Sequence, residues 1–261
     1  MKIPVIKEPT REAIIEDINN GHLPPHIYKY MDIESIRKVI ENNSIKFNSA
    51  SNFNDPFDGK AFISINISFE DIVKYWDLDS LPDPQKQISV SHKIMDIHAM
   101  NQLSDSVYSY LDKHTAISCF SEIGDNPLMW SHYSDKHKGV CLKFDIIKDL
   151  DFFSSLARIK YNEDFLSYNF AEVENHIFDQ YTTKAIDWSY EKEIRVIKTN
   201  TKPQCIKFNK ASLVEISFGC KCDEKDIHEI KKLVKQKEYD NIEFKLATIY
   251  SPKYKLLFTP I

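Results

Sequence analysis

Thr115-Ala-Ile-Ser-Cys-Phe-Ser121 and Gly139-Val-Cys-Leu-Lys-Phe-Asp145 frame a short helical stretch, Pro127 to Lys136. Both outer segments carry the alternation and the β-branched and aromatic content of strands. Towards the N-terminus, Ser68 to His114 is helix-like with interruptions at Pro82 and Pro84, and Ser44-Ile-Lys-Phe-Asn48 alternates as a strand. Further upstream, Ile33, Ile36 and Ile40 recur at helical spacing behind the β-rich His26-Ile-Tyr-Lys-Tyr30, and Thr10 to Asn19 has a helix-capping start. Towards the C-terminus, strands are expected around Ile159, from Trp188 to Ile197, at Cys205 to Phe208 and Leu213 to Phe218, and near Phe244 to Leu257. Helices are expected at Phe170 to Tyr181 and Asp223 to Lys235. Strands follow one another without regular βαβ alternation, so the expected class is α+β: a split, mostly antiparallel sheet in one domain spanning residues 1–261, with a helical insertion at about 68–114.

A chain of 261 residues with 42% hydrophobic and 28% charged residues is ordinary globular material, and a net charge of −5 gives no bulk argument for nucleic acid. No apolar run has signal-peptide or membrane-spanning length, so the expected location is the cytoplasm, with no membrane partner. The five cysteines lack paired-ligand spacing, which argues for buried thiols and against a disulfide framework; Cys220-Lys-Cys222 lacks the second pair a structural zinc site needs. No metal ligand set is expected.

Three segments hold more polar and aromatic side chains than their secondary structure requires. Ser51-Asn-Phe-Asn-Asp-Pro-Phe-Asp58 can build Asx turns anchored by its phenylalanines, with Asn54 and Asp55 as candidate binding residues. Ser118-Cys-Phe-Ser-Glu122 leads into Asn126-Pro-Leu-Met-Trp-Ser-His-Tyr133, where Ser121, His132 and Tyr133 are candidates to face a flat heterocycle, while Met129 and Trp130 read as core. Trp188-Ser-Tyr-Glu-Lys-Glu-Ile-Arg-Val-Ile197, read as a strand, puts Glu191, Glu193 and Arg195 on one face; buried carboxylates of this kind need a partner or a task.

Tyr28-Lys-Tyr30, Phe53-Asn-Asp-Pro-Phe-Asp58, Cys119-Phe-Ser-Glu122, Met129-Trp-Ser-His-Tyr133 with Gly139-Val140, and Trp188-x-Tyr-Glu-x-Glu-x-Arg195 together resemble the family called domain of unknown function 2971. More distantly, the order of these blocks is similar to that of ADP-ribosyltransferases. That resemblance implies a split antiparallel fold and NAD as substrate. It also implies Glu193 as the catalytic carboxylate beside Glu191, with Tyr28, Lys29 and Tyr30 at the first motif, where the superfamily has His or Arg. Ser121 and Tyr133 then fall at the second motif, and the implied activity is ADP-ribosyl transfer or NAD hydrolysis by a defence or toxin effector, the acceptor unspecified. Cleaving the nicotinamide bond passes through an oxocarbenium-like state that a fixed carboxylate stabilises, and nicotinamide leaves neutral, so no acid is required.

Two other classes fit parts of the pattern. A magnesium-dependent nuclease or phosphodiesterase would use Asp55, Asp58, Glu191 and Glu193 as oxygen ligands, and a non-enzymatic nucleotide-binding sensor would use the same residues for recognition alone. A Cys119/His132 hydrolase is disfavoured, because a thiol inside an apolar strand is inert.

Overall fold

Apolar residues at every second strand position and every third or fourth helix position set the architecture. The computed structural model describes residues 10–59, 62–63, 69–75, 77–165, 167–168, 179–250 and 252–261. In chain order it comprises α1 (Arg11–Asn19), β1 (His26–Met31), α2 (Ile33–Asn42), β2 (Ser44–Phe47), β3 (Phe62–Ile63), α3 (Phe69–Tyr75) and α4 (Asp83–His114). Then come β4 (Thr115–Ser121), α5 (Pro127–Tyr133), β5 (Val140–Asp145), β6 (Leu156–Arg158), β7 (Lys160–Asn162), β8 (Ser167–Tyr168) and β9 (Thr183–Ala185). The chain closes with β10 (Glu193–Thr199), β11 (Gln204–Lys207), β12 (Leu213–Phe218), α6 (Glu224–Gln236), β13 (Glu243–Tyr250) and β14 (Lys255–Pro260).

Eight strands form one sheet in the order β14-β13-β12-β5-β1-β4-β10-β6, antiparallel throughout except for β12 beside β13. The expected α+β class with a mostly antiparallel sheet is therefore present. The β1–β4 junction is the short one. β1 is laced to β5 from His26 to Met31 and β4 to β10 from Thr115 to Ser121, yet β1 meets β4 only at Tyr28 opposite Ser121. Beyond that pair the edge of β4 is taken over by Asn48, which exchanges backbone hydrogen bonds with Ile117. In the gap, Lys29 Nζ donates to the Cys119 carbonyl at 2.7 Å and to Ser118 Oγ at 3.0 Å, supplying a partner that the missing ladder would have given.

One face of the sheet is the core. Ile27, Phe120, Leu142, Phe144, Ile194, Val196, Ile216 and Phe218 pack with Ile36, Val39 and Ile40 of α2 and Ile230 and Val234 of α6. Burying each such side chain contributes about 1.5–3 kcal/mol. The alternate positions, among them Tyr28, Tyr30, Ser121, Glu193 and Arg195, therefore fall on the opposite face.

Within 68–114 the described residues form α3 and α4, and Pro84 sits in the first turn of α4, where a missing N–H costs nothing. Two expectations need correction. Trp188 to Ile197 is not one strand: Ile186–Glu191 is a 3-10 helix, Lys192 turns left-handed (φ 46°), and the strand begins at Glu193. The helix expected at Phe170 to Tyr181 lies mostly outside the described residues, and what is described of it is a 3-10 turn, Asp179–Tyr181.

Candidate active site

Asn126 caps α5, accepting from the Leu128 N–H at 2.8 Å and donating to the Tyr190 carbonyl at 3.0 Å, while Pro127 fills the first turn. Trp130, fully buried, donates its indole N–H to the Gly124 carbonyl at 3.0 Å and stands edge-on to Tyr30 at 5.5 Å. These contacts fix the helix against β1 and aim Tyr133 at the polar sheet face. Its hydroxyl donates to Glu191 Oε1 at 2.5 Å, and Asn54 Nδ2 donates to the same hydroxyl at 3.4 Å.

Glu191 owes its position to a turn. Ser121 Oγ donates to the Glu191 carbonyl at 2.6 Å and the Glu122 N–H to the Lys192 carbonyl at 2.9 Å, so β4 holds the left-handed step that sets Glu191 beside Glu193. Between the two carboxylates lies Lys184 of β9, with Nζ 2.6 Å from Glu191 Oε2, 3.2 Å from Glu193 Oε2 and 3.6 Å from Asp58 Oδ2. Arg195 closes the network from below: Nε donates to Glu193 Oε1 at 2.7 Å, Nη2 to Asp58 Oδ2 at 2.6 Å and to Glu193 Oε2 at 3.0 Å, and Nη1 to the Tyr181 carbonyl at 2.9 Å. All five charged residues are buried, and Arg195 is fully so.

The two glutamates are driven apart. Burial raises the Glu193 pKa, but the charge and hydrogen bonds of Arg195, with the charge of Lys184, outweigh it and hold the carboxyl down at about 2. For Glu191, burial prevails over Lys184 and the Tyr133 hydrogen bond, and the neighbouring Glu193 charge adds to it, so its pKa is raised. Environments that push the pKa values of paired carboxyls in opposite directions let the two play unequal parts in one site.

The network borders a cavity of about 170 Å³. Tyr28, Tyr30, Phe53, Phe120, Met129 and Tyr133 line it together with Lys29, Asn54, Asp58, Cys119, Ser121, Lys184, Glu191 and Glu193. Its size is that of one ring, since a cavity of roughly 150 Å³ takes up benzene.

The three sequence segments and Tyr28-Lys29-Tyr30 thus meet in one place, with Tyr28, Lys29, Tyr30, Asn54, Ser121, Tyr133, Glu191 and Glu193 all lining the cavity. Arg195 stands behind the wall and acts through Glu193 and Asp58. His132 is exposed and borders a wider, open cleft of about 990 Å³ that shares Tyr133 with the cavity. Asp55 is not a lining residue; its Oδ1 accepts from the Phe57 N–H at 2.9 Å, the loop-fixing Asx contact expected of this segment. Cys119 does reach the cavity, and burial pushes its thiol well up, so it remains an inert thiol. Lys184 is the residue that sequence reasoning missed.

Residues 129–196 match the family model described as protein of unknown function (DUF2971). The DUF2971 segment contains Tyr133, Lys184, Glu191, Glu193 and Arg195, whereas Tyr28 to Tyr30, Asp58 and Ser121 lie before it. No curated protein and no solved structure matches the chain.

Among the described residues no group of three or more His, Cys, Asp or Glu is placed to hold a metal ion. Lys184 and Arg195 already occupy the positions between the carboxylates that a cation would take. No helix among the described residues is long and apolar enough to cross a membrane.

Proposed function

We propose that the cavity is the site of an NAD-using enzyme that breaks the bond between nicotinamide and ribose, either an ADP-ribosyltransferase-like transferase or an NAD glycohydrolase. The observation that carries this reading is the meeting of the three motif segments at one ring-sized cavity bordered by an ionised, rigidly held Glu193. In the reaction the C1′–N bond breaks and its electron pair stays with the nicotinamide ring, which leaves neutral. Glu193 stabilises the positive charge left on the ribose, and water or a macromolecular nucleophile then adds to C1′ and gives up a proton. Tyr133 forms a wall for the ring, and its hydrogen bond fixes Glu191 beside Glu193.

The test is incubation of purified protein with NAD labelled in the ribose, alone and with a cell lysate, following nicotinamide release and labelled macromolecules. Release by the wild type that falls about a hundredfold or more in folded Glu193→Gln supports the mechanism. Full activity of that variant removes Glu193 from it, and no release under any condition overturns the enzymatic reading.

One observation favours a second reading. Both oxygens of Glu193 are already engaged by Arg195 and Lys184, as in a structural ion network, which suits a sensor that binds a nucleotide without cleaving it. Saturable NAD binding without nicotinamide release would select the sensor. The nuclease reading gains nothing from the geometry, because Asp58, Glu191 and Glu193 are already paired with Lys184 and Arg195 and Asp55 does not line the cavity.

A further inference from the structure

The eight-stranded sheet ends on one side at β6, a strand of three residues, and on the other at β14. Short strands, charges, prolines and bulges protect a sheet edge from pairing with another chain. β14 lacks such protection in its middle: between Lys255 and Pro260 lie Leu256, Leu257, Phe258 and Thr259, and the register with β13 runs without a bulge. Around this edge Ile249, Tyr254, Leu257 and Ile261 are exposed. The strand is also held firmly. Leu256 is buried with Tyr30, Met129 and Trp130, and the Phe258 ring lies 5.8 Å from that of Trp130. Little ordering cost therefore remains for a pairing event.

The direction of the outer hydrogen-bonding groups follows from one bond: the Ile261 N–H donates to the Phe244 carbonyl at 3.0 Å. Antiparallel ladders alternate, so Thr259 and Leu257 bond to β13, opposite Leu246 and Thr248. Leu256, Phe258 and Pro260 turn their main chain outward, where no strand lies among the described residues. Pro260 has no N–H, which leaves Leu256 and Phe258 as the outward donors. We propose that β14 pairs antiparallel with β14 of a second copy of this chain about a two-fold axis at Leu257, continuing the sheet across a homodimer. In this register Leu256 of each copy and Phe258 of the other exchange both backbone hydrogen bonds. Leu257 lies beside its own counterpart, with Cα atoms about 4.5 Å apart. Lys255 stands opposite Thr259, so no like charges meet. An axis at Phe258 instead puts Leu256 opposite Pro260, which cannot donate, and one at Leu256 puts Phe258 opposite Tyr254, outside the strand. This self-complementary register selects a second copy over an unrelated strand, and an isologous contact of this kind closes at the dimer.

The experiment is sedimentation equilibrium of the purified protein through the micromolar range, with hydrogen exchange followed at the same concentrations. Wild type is expected to rise from 30.5 kDa towards twice that mass, and the Leu256 and Phe258 amides to exchange more slowly as it does. Leu257 is 41% exposed, so Leu257→Lys and Leu257→Glu should each leave the fold intact while setting like charges side by side at the axis. Each is expected to weaken association about tenfold or more, and an equimolar mixture of the two to restore it, since opposite charges then face each other. Pairing with an unrelated strand instead leaves wild type monomeric at every concentration, which overturns the proposal. Association that persists in both variants, loss that mixing does not repair, or exchange of the two amides that ignores concentration overturns it equally. Thermal melting verifies that the variants fold, and the wild-type mass and exchange decide the matter if they do not.

Discussion

Lys184 and Arg195 are the cations paired with Asp58, Glu191 and Glu193 inside the protein. Lys184→Met leaves Asp58 and Glu193 to Arg195 and takes from Glu191 the cation it is paired with, and is expected to destabilise the fold by about 3–5 kcal/mol in chemical denaturation. A loss under about 1 kcal/mol would mean that the network tolerates an uncompensated charge. Tyr133→Phe tests a finer point. The Tyr133 hydrogen bond lowers the Glu191 pKa against the stronger push of burial, so its loss should move the Glu191 titration further up, measured by carboxyl carbon NMR. An unmoved titration would show that the 2.5 Å contact has no electrostatic effect. The glutamate pair was legible in the sequence because a Glu-x-Glu-x-Arg run after aromatics is unusual. Lys184 was not, since a lysine between Thr183 and Ala185 looks like any solvated lysine until the fold buries it. Asp58 read as a loop residue because Arg195, its partner, is 137 positions away.

The connection from α5 to β5 has a cost visible in its backbone. Asp135, Lys136 and His137 are all left-handed, with φ of 42°, 55° and 71°, and each such residue is disfavoured by roughly 1–2 kcal/mol. Glycines make the turn possible from both sides: a Cβ on Gly139 would lie 2.2 Å from the Met31 carbonyl oxygen, and one on Gly219 would lie 2.1 Å from that of His137. Gly139→Ala and Gly219→Ala should each lower stability by about 2 kcal/mol or more, because backbone atoms rather than a flexible side chain must yield. Gly21→Ala is the control. It has φ 75° but open space around it, so only the backbone term of about 1 kcal/mol applies. Periodicity made β4, β12 and the flanking helices legible. It failed at Trp188 to Ile197, because Glu191, Glu193 and Arg195 keep a two-residue spacing across Lys192 and nothing in a lysine announces a left-handed turn.

For the molecule as a whole, the buried carboxyls tie stability to pH with opposite signs. Glu193 is held at about 2 against an ordinary 4.5, so the unfolded chain takes up its proton first; the stability it contributes is present above 4.5 and is lost as pH falls towards 2. Glu191, raised, contributes below 4.5 and loses that contribution as pH rises through its folded value. Melting temperature followed from pH 6 to pH 2 should fall most steeply below 4.5, and Glu193→Gln should flatten that fall; an equally steep fall in the variant would assign acid sensitivity to other groups. The α+β class and antiparallel bias were legible from strand succession, but the strand order was not, because pairing is decided between segments far apart in the chain. That order leaves a seam between two half-sheets, joined at Tyr28 and Ser121 and riveted by Lys29. Along β4, Ser118 and Phe120 turn their main chain towards β10, and Cys119 turns its own towards the seam. The Cys119 amide should therefore exchange with deuterium ahead of its two neighbours. A ligand that draws the half-sheets together would close that difference, so a single backbone proton reports whether the cavity is filled.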